Sequence, residues 1–458
     1  MGSMTRTSSP ELLVSIRRDE RPLHTQIEAQ LREAVRAGRL AAGARLPSTR
    51  ALAAELGVSR GVIVEAYQQL AAEGYLVARP GAAPRVAAGA VAAPARVPAE
   101  PRPALRWDLT PGTPDLALFP RAAWAAAQRQ ALREAPDADL GYPDPAGHPR
   151  LRAALAAYLG RVRGVQATPE RIVVSGGVAE ALALVVRALR ARGATRIAVE
   201  DPCHYGAREL VSHAGLQPVP VPVDAGGIDI GALAAAGADA VVVSPAHQFP
   251  TGVVLEPARR AALAAWARRA GALVIEDDYD AEYRYDRHPV GALQGLEPDH
   301  VVHVHSVSKT LAPGLRLGWA VLPGHLAPAV AEEKRMTDLG TPILEQLALA
   351  AFLERGGLDR HLRRTRPVYR RRRDVLLAAL AGLEVEGVAA GLHVLARLPS
   401  GGDEDAVVAA AAARGVAVEA LGPHVAHGRR SPALVLGYTR LGEPGLAEAG
   451  RRLRAALD

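Results

Sequence analysis

Lysine is the rarest charged residue of this chain: among 458 residues only Lys309 and Lys334 carry it, against a background of arginine. Arginine stays protonated near neutral pH and cannot supply the neutral amine that attacks an aldehyde. A lysine can. Lys309 stands in the string SVSKTLAPGLRLGW, just after the apolar run 301–304 and a short stretch before Arg316. Three further apolar runs also end in polar clusters. Run 172–174 leads into Ser175, Gly176 and Gly177, run 241–243 into SPAHQFPTG, and run 273–275 into EDDYDAEYRY, which holds Asp277 and Tyr279.

Glycines before a helical stretch present backbone N–H groups at a helix N-terminus, where an anion binds. Gly176 and Gly177 fit that role, Ser306 and Ser308 can add hydroxyls, and Arg316 can add charge-assisted bonds. An amine, a phosphate-sized anion site and a carboxylate are the set required by pyridoxal 5′-phosphate (PLP). Lys309 would form the aldimine, and Asp277 would keep the pyridine nitrogen protonated so that the ring acts as an electron sink. Tyr279 could hydrogen-bond the phenolic oxygen.

These strings need elements to hold them at one place. From Arg106 onward short apolar runs alternate with alanine- and arginine-rich helical stretches, which predicts an α/β domain with a mostly parallel sheet over 106–458. Ligands of such sheets bind at the carboxyl ends of the strands, so four dressed strand ends argue for one pocket. Residues 87–105, rich in alanine and proline without hydrophobic periodicity, predict a semi-extended linker. Residues 11–86 form a separate helical module. There Ser48 and Ser59 are expected to cap two short helices, carrying Leu52 and Leu56, then Val62, Ile63, Ala66, Tyr67 and Leu70, with Gly57 between them. That is a helix-turn-helix, whose second helix enters a DNA major groove.

The strings LPSTRALAAELGVSR, EAYQQLAAEGYL and ARPG resemble the winged helix-turn-helix of GntR-type regulators, and SVSKTLAPGLRLGW resembles the cofactor-lysine motif of fold-type I aminotransferases. With GYPDPAGHPRLRAALAAYL, the whole chain is similar to MocR-type regulators, in which the two domains are fused. The resemblance implies that Arg45, Ser48, Arg50, Ser59 and Arg60 face DNA. It implies a ring-stacking residue two places after the proline of DPCHYGAR, which is His204 with Tyr205 adjacent; either could stack. An asparagine expected before the Pro-Thr-Gly run is Phe249 here, so its ring contact is absent or supplied by His247 or Gln248. The wing departs from the usual small-residue tip, reading Ala82-Ala83-Pro84-Arg85.

An effector carboxylate would call for an arginine, with Arg208, Arg429 and Arg430 as candidates. The basic run Arg360, Arg363, Arg364, Arg366, Arg370, Arg371, Arg372 and Arg373 could add phosphate contacts for DNA. A net charge of +7 is compatible with a nucleic-acid partner. The single cysteine, Cys203, excludes an internal disulfide framework and suits a reducing cytoplasm, and no apolar run reaches membrane-spanning length. The expected function is a DNA-binding regulator that senses PLP or an amino compound at Lys309. The resemblance further implies a homodimer, head-to-tail, binding an operator. An active aminotransferase with an accessory DNA-binding head is the alternative, and a purely scaffolding large domain is disfavoured by the intact Lys309, Asp277 and Arg316 set.

Overall fold

The computed structural model describes residues 4–6, 14–18, 21–78, 83–88, 105–286, 290–399, 402–427 and 430–457. The chain divides into two compact units, Met1–Pro103 and Ala104–Asp458. Nearly all of the expected linker, and Ala82 of the wing, lie outside the described residues.

In the first unit, strands β1 (Met4–Arg6) and β2 (Ser15–Arg17) pair antiparallel ahead of helix α1 (Leu23–Arg36). Helical spacing gives α1 one apolar face, and Ile27, Leu31, Ala34 and Val35 are buried by it. Helix α2 (Thr49–Leu56) starts where Ser48 Oγ accepts the Ala51 N–H at 3.2 Å, and ends where Gly57 takes a left-handed φ of 64°. Helix α3 (Arg60–Ala72) follows at once. Ser59 occupies its N-cap position with extended backbone but makes no side-chain cap bond, so the expected cap is positional only. Leu52, Leu56, Ile63, Ala66, Tyr67 and Leu70 close one core with the α1 face. Strands β3 (Leu76–Val77) and β4 (Arg85–Val86) pair antiparallel as the wing.

The second unit opens on β5 (Trp107–Asp108) and is built on an eight-stranded sheet. Its strands are β6 (Ile172–Ser175), β7 (Arg196–Asp201), β8 (Gln217–Asp224), β9 (Gly227–Ile228), β10 (Ala240–Val243), β11 (Leu273–Asp277), β12 (Val301–Ser306) and β13 (Gly318–Val321), in the order β6-β13-β12-β11-β10-β7-β8-β9. β8, β7, β10, β11 and β12 run parallel, whereas β13 is antiparallel to both β12 and β6, and β9 is antiparallel to β8. The sheet is thus mostly parallel, as the alternation of runs and helices predicts. Its strands are apolar on both faces because helices cover both. Val199, Val242 and Ile275 pack with Leu182, Val185 and Val186 of helix Val178–Ala191, while Val241, Val274 and Val301 pack with Leu263 and Trp266 of helix Pro257–Ala270. A four-stranded sheet follows, of order β14 (Val385–Glu386), β15 (His393–Arg397), β18 (Ala433–Gly437) and β17 (Glu419–Ala420), and β16 (Val416–Ala417) pairs back with β5.

Candidate functional site

The parallel register brings the dressed strand ends to one level. Asp277 closes β11 opposite Val304, and Ser306 at the end of β12 shares Gly318 with Ser175 at the end of β6. Around these ends lies a cavity of about 480 Å³ lined by Lys309, Asp277, Tyr279, Ser306, Ser308, Arg316 and His204, a size suited to a cofactor.

Lys309 follows the end of β12, and its Nζ donates to the carbonyl of Gly112 at 2.5 Å. Burial lowers its pKa, which Asp280 and Asp277 oppose. Lowering favours the free amine that carbonyl chemistry needs. Asp277 moves the other way: burial raises its carboxyl to about 7, against the nearby His305 and Lys309. One of its oxygens is buried and has no hydrogen-bond partner among the described residues. A buried acceptor left open is costly, and a protonated ring nitrogen would satisfy it. The neighbouring Asp278 has the opposite fate. Period-two alternation turns it to the other face, where Arg163 holds it through two bonds of 2.7 and 2.8 Å and His303 adds a third at 3.0 Å. Its pKa is held low by Arg163 and His303 against a strong burial effect.

The anion end is equally shaped. Gly177, with φ of 119°, begins helix Val178–Ala191, and a Cβ there would come within 2.8 Å of the Arg316 guanidinium. Arg316 itself adopts a left-handed φ of 49°, an uncommon conformation for a branched-free but bulky side chain. Its guanidinium makes one long bond among the described residues, 3.4 Å from Nη1 to the carbonyl of Pro313, so its charge remains available beside the helix N-terminus. Ser306 Oγ accepts the Ser308 N–H at 3.3 Å, fixing the turn that leads to Lys309. The residues present therefore fit PLP: an amine, an open acceptor for the ring nitrogen, and a cationic cradle for the phosphate.

Several expected residues lie elsewhere. His204 lines the cavity, whereas Tyr205 does not and is 40 % exposed. Burial lowers His204, so its ring is neutral and suited to stacking on another ring. Neither Gly176 nor Gly177 is part of the cavity wall: the Gly176 N–H is taken by the carboxylate of Glu180, and Gly177 backs the Arg316 guanidinium. Arg208 donates to the carbonyls of Pro423 and His424 at 3.0 and 3.3 Å, and Arg430 to those of Asp201 and Val223 at 2.8 and 2.7 Å. Neither lines the cavity. Arg429 lies outside the described residues. Gln248 holds the loop by donating to Pro202 O at 2.6 Å and accepting from Thr251 Oγ1, also at 2.6 Å. Lys334 is fully buried, bridging Glu180 and Asp338 at 2.7 Å each, a structural role. Gly112, Thr113, Glu200, Phe249, His393 and Glu419 also line the cavity. Phe249 belongs to the string SPAHQFPTG, whereas the others reach the site from other segments.

On the first unit Arg45, Ser48, Arg50, Ser59 and Arg60 are all exposed. Arg60 reaches back to Thr49 Oγ1 at 3.4 Å, so the start of α3 and the start of α2 share one surface. In the arginine run, Arg372 is buried against Asp115 at 2.8 Å and Arg366 donates to Glu282 O, while Arg360, Arg363, Arg364, Arg370 and Arg371 are exposed. Arg372 is therefore unavailable to DNA.

Two family models match the chain: bacterial regulatory proteins of the gntR family over residues 23–86, and aminotransferase class I and II over residues 107–431. The chain is 33% identical to the probable rhizopine catabolism regulatory protein MocR of Rhizobium meliloti, covering 97% of this chain and 96% of that protein. It is 36% identical to the HTH-type pyridoxine biosynthesis transcriptional regulator PdxR of Corynebacterium glutamicum, with 87% of each covered. Among solved structures, a kynurenine aminotransferase of Pyrococcus horikoshii matches 77% of this chain and 91% of its own, at a TM-score of 0.71 and 25% identity. No helix among the described residues is long and apolar enough to cross a membrane. A gntR-type head joined to an aminotransferase-type domain, along nearly the full length of such relatives, places this chain in the MocR-type subgroup of GntR-family DNA-binding transcription regulators.

Proposed function

We propose that this protein is a PLP-dependent transcription regulator, sensing PLP or an amino compound at Lys309 and acting on an operator through Arg45, Ser48, Arg50, Ser59 and Arg60. The observation that carries this reading is the convergence, in one cavity, of the Lys309 amine, the unpartnered oxygen of Asp277 and the Arg316 guanidinium beside Gly177. PLP, when bound, supplies an electrophilic carbonyl carbon and an electron-withdrawing ring. The residues of the chain hold it. Arg316, Ser306, Ser308 and Gly177 take the phosphate, Asp277 the ring nitrogen, Tyr279 the phenolic oxygen, and His204 stacks on the ring. Sensing requires only that an amine displace Lys309 and shift the protein between two shapes.

The protein acts as a homodimer in the cytoplasm, with two heads on two half-sites. Purified protein should take up PLP with a visible absorption band that borohydride fixes to Lys309, and Lys309→Ala should abolish both. Operator binding, followed with and without PLP and amines, then reads the response. No band in the wild-type protein would refute the cofactor reading, and DNA binding indifferent to PLP and to amines would refute sensing. Steady keto-acid production would favour an aminotransferase with a DNA-binding head.

A further inference from the structure

Two buried side chains outside the cavity lining, His247 and Asp280, meet Tyr279 from behind. His247 Nδ1 lies 3.0 and 3.2 Å from the two carboxylate oxygens of Asp280 and 3.1 Å from Tyr279 Oη. The two are only 3 % and 1 % exposed. One imidazole nitrogen carries one proton, and a carboxylate only accepts. The Nδ1 proton is therefore directed to Asp280 and forked toward the phenol oxygen, which must accept it. That leaves the hydroxyl's own proton to be donated elsewhere, and Tyr279 lines the cavity.

The ring has no freedom to turn away. A Cβ at Gly391 would overlap it, and one at Gly252 would sit 3.3 Å from Nε2, so glycines pack directly on the imidazole. Burial raises the Tyr279 phenol well above its ordinary value, and the charges of Asp280 and Asp277 add to that, so the hydroxyl keeps its proton. Phe249 lines the same cavity and packs edge-on to Tyr279, with ring centroids 6.4 Å apart. Tyr279 is then the phenolic-oxygen donor whose direction matters.

We infer that Asp280 and His247 are positioning residues that fix Tyr279 as an obligate hydrogen-bond donor into the cavity, aimed at the phenolic oxygen of PLP. This rests on the cofactor reading above. It differs from a metal centre built of His247, Asp280 and His393, whose ligand atoms lie within 4.8 Å of one another. The Nδ1 proton is already engaged with Asp280, and His393 Nε2 faces the carbonyl of Pro250 at 3.2 Å.

The test uses the full-length protein loaded with PLP and follows the pH titration of the Lys309-bound chromophore by its visible absorption. A donor at the phenolic oxygen stabilises the deprotonated chromophore, so losing it raises the apparent pKa. Tyr279→Phe should shift the titration upward by about one pH unit, a tenfold change in proton affinity. His247→Leu should shift it in the same direction by at least half as much. His247→Asn, whose amide can stand near the Nδ1 position, should restore most of the wild-type value. The double variant His247→Leu, Tyr279→Phe should titrate like Tyr279→Phe alone, because the pair acts through one hydroxyl. Asp280→Asn, which keeps the shape but removes the charge, provides a second route should His247→Leu fail to fold.

A shift in Tyr279→Phe with none in the His247 and Asp280 variants would overturn the inference while leaving the cofactor site standing. A wild-type spectrum changed by chelator and restored by zinc would overturn it in favour of a metal. Absence of any PLP band would instead sink the reading on which it rests.

Discussion

Gly318 is the point where three backbones meet, and adding one methyl group there should disable the phosphate end of the cavity. It pairs with both Ser175 and Ser306, and a Cβ would lie 2.7 Å from Gly177 Cα, 2.9 Å from Gly177 C and 3.0 Å from His305 O. All three neighbours are backbone, so none can swing aside. Relaxed carbon contacts stand at about 3.5 Å or more, so the loop at Gly177 must retreat from β13 by roughly 0.8 Å. Overpacking of this kind costs about 1–3 kcal/mol. A displacement near 1 Å at a bound group costs on the order of a hundredfold in function. Gly318→Ala should therefore melt several degrees lower and bind PLP about 10- to 100-fold more weakly. Pyridoxal, which lacks the phosphate, should lose far less. Gly314→Ala is the control, because nothing lies within 4 Å of a Cβ there. Calorimetric titration with both ligands gives the ratio. If Gly318→Ala keeps the wild-type preference for PLP over pyridoxal, the assignment of Gly177 and Arg316 to the phosphate is wrong.

Four further outcomes follow from the same geometry. Asp277 has a folded pKa of about 7, raised by burial above its unfolded value, so the folded state holds its proton longer. Stability from this group is present below about pH 4 and is lost as pH rises through about 7. Asp277→Asn should stabilise the PLP-free protein at pH 8 by roughly 2 kcal/mol in denaturant unfolding, after allowing for solvent in the cavity, while abolishing tight PLP binding. Unchanged stability would show the carboxyl to be solvated. Lys334→Met removes the ammonium between Glu180 and Asp338 and should destabilise by about 1–3 kcal/mol, yet leave borohydride labelling at Lys309 intact. Arg163→Met strands the buried Asp278 carboxylate and should cost about 3–5 kcal/mol by denaturant unfolding, although neither residue lines the cavity. Arg60→Ala should weaken operator binding and reduce the salt dependence of its logarithm by about one, with an unaltered PLP spectrum; a changed spectrum would contradict the separation of roles.

Legibility in the sequence followed chain distance. Lys309, Ser306, Ser308 and Arg316 sit on one strand end and its turn, so one string carries them, and Asp277 and Tyr279 sit on another. Each string is local, and the apolar run before it names the strand that delivers it. Gly112, His393 and Glu419 arrive from segments far from Lys309 along the chain, and no local pattern links them to it. The reversal of β13 was equally hidden, because its four buried residues read like any parallel strand. The candidate arginines show a general limit of local strings. The long arginine side chain can reach backbone carbonyls in many directions, and Arg208 and Arg430 each donate to such carbonyls, which no string foretells. In the first unit Ser48 formed the cap that its spacing predicts and Ser59 did not, since capping depends on hydroxyl rotamer as well as position.

The near absence of lysine has a consequence for selectivity. An aldehyde such as PLP condenses with accessible amines in general, and a typical protein surface offers dozens of competing sites. Here the only other lysine is 0 % exposed and locked between two carboxylates. With arginine carrying the positive charge elsewhere, the molecule keeps its basic character without scattering reactive side-chain amines over its surface. Lys309 thereby has almost no internal competitor among side-chain amines for an aldehyde ligand.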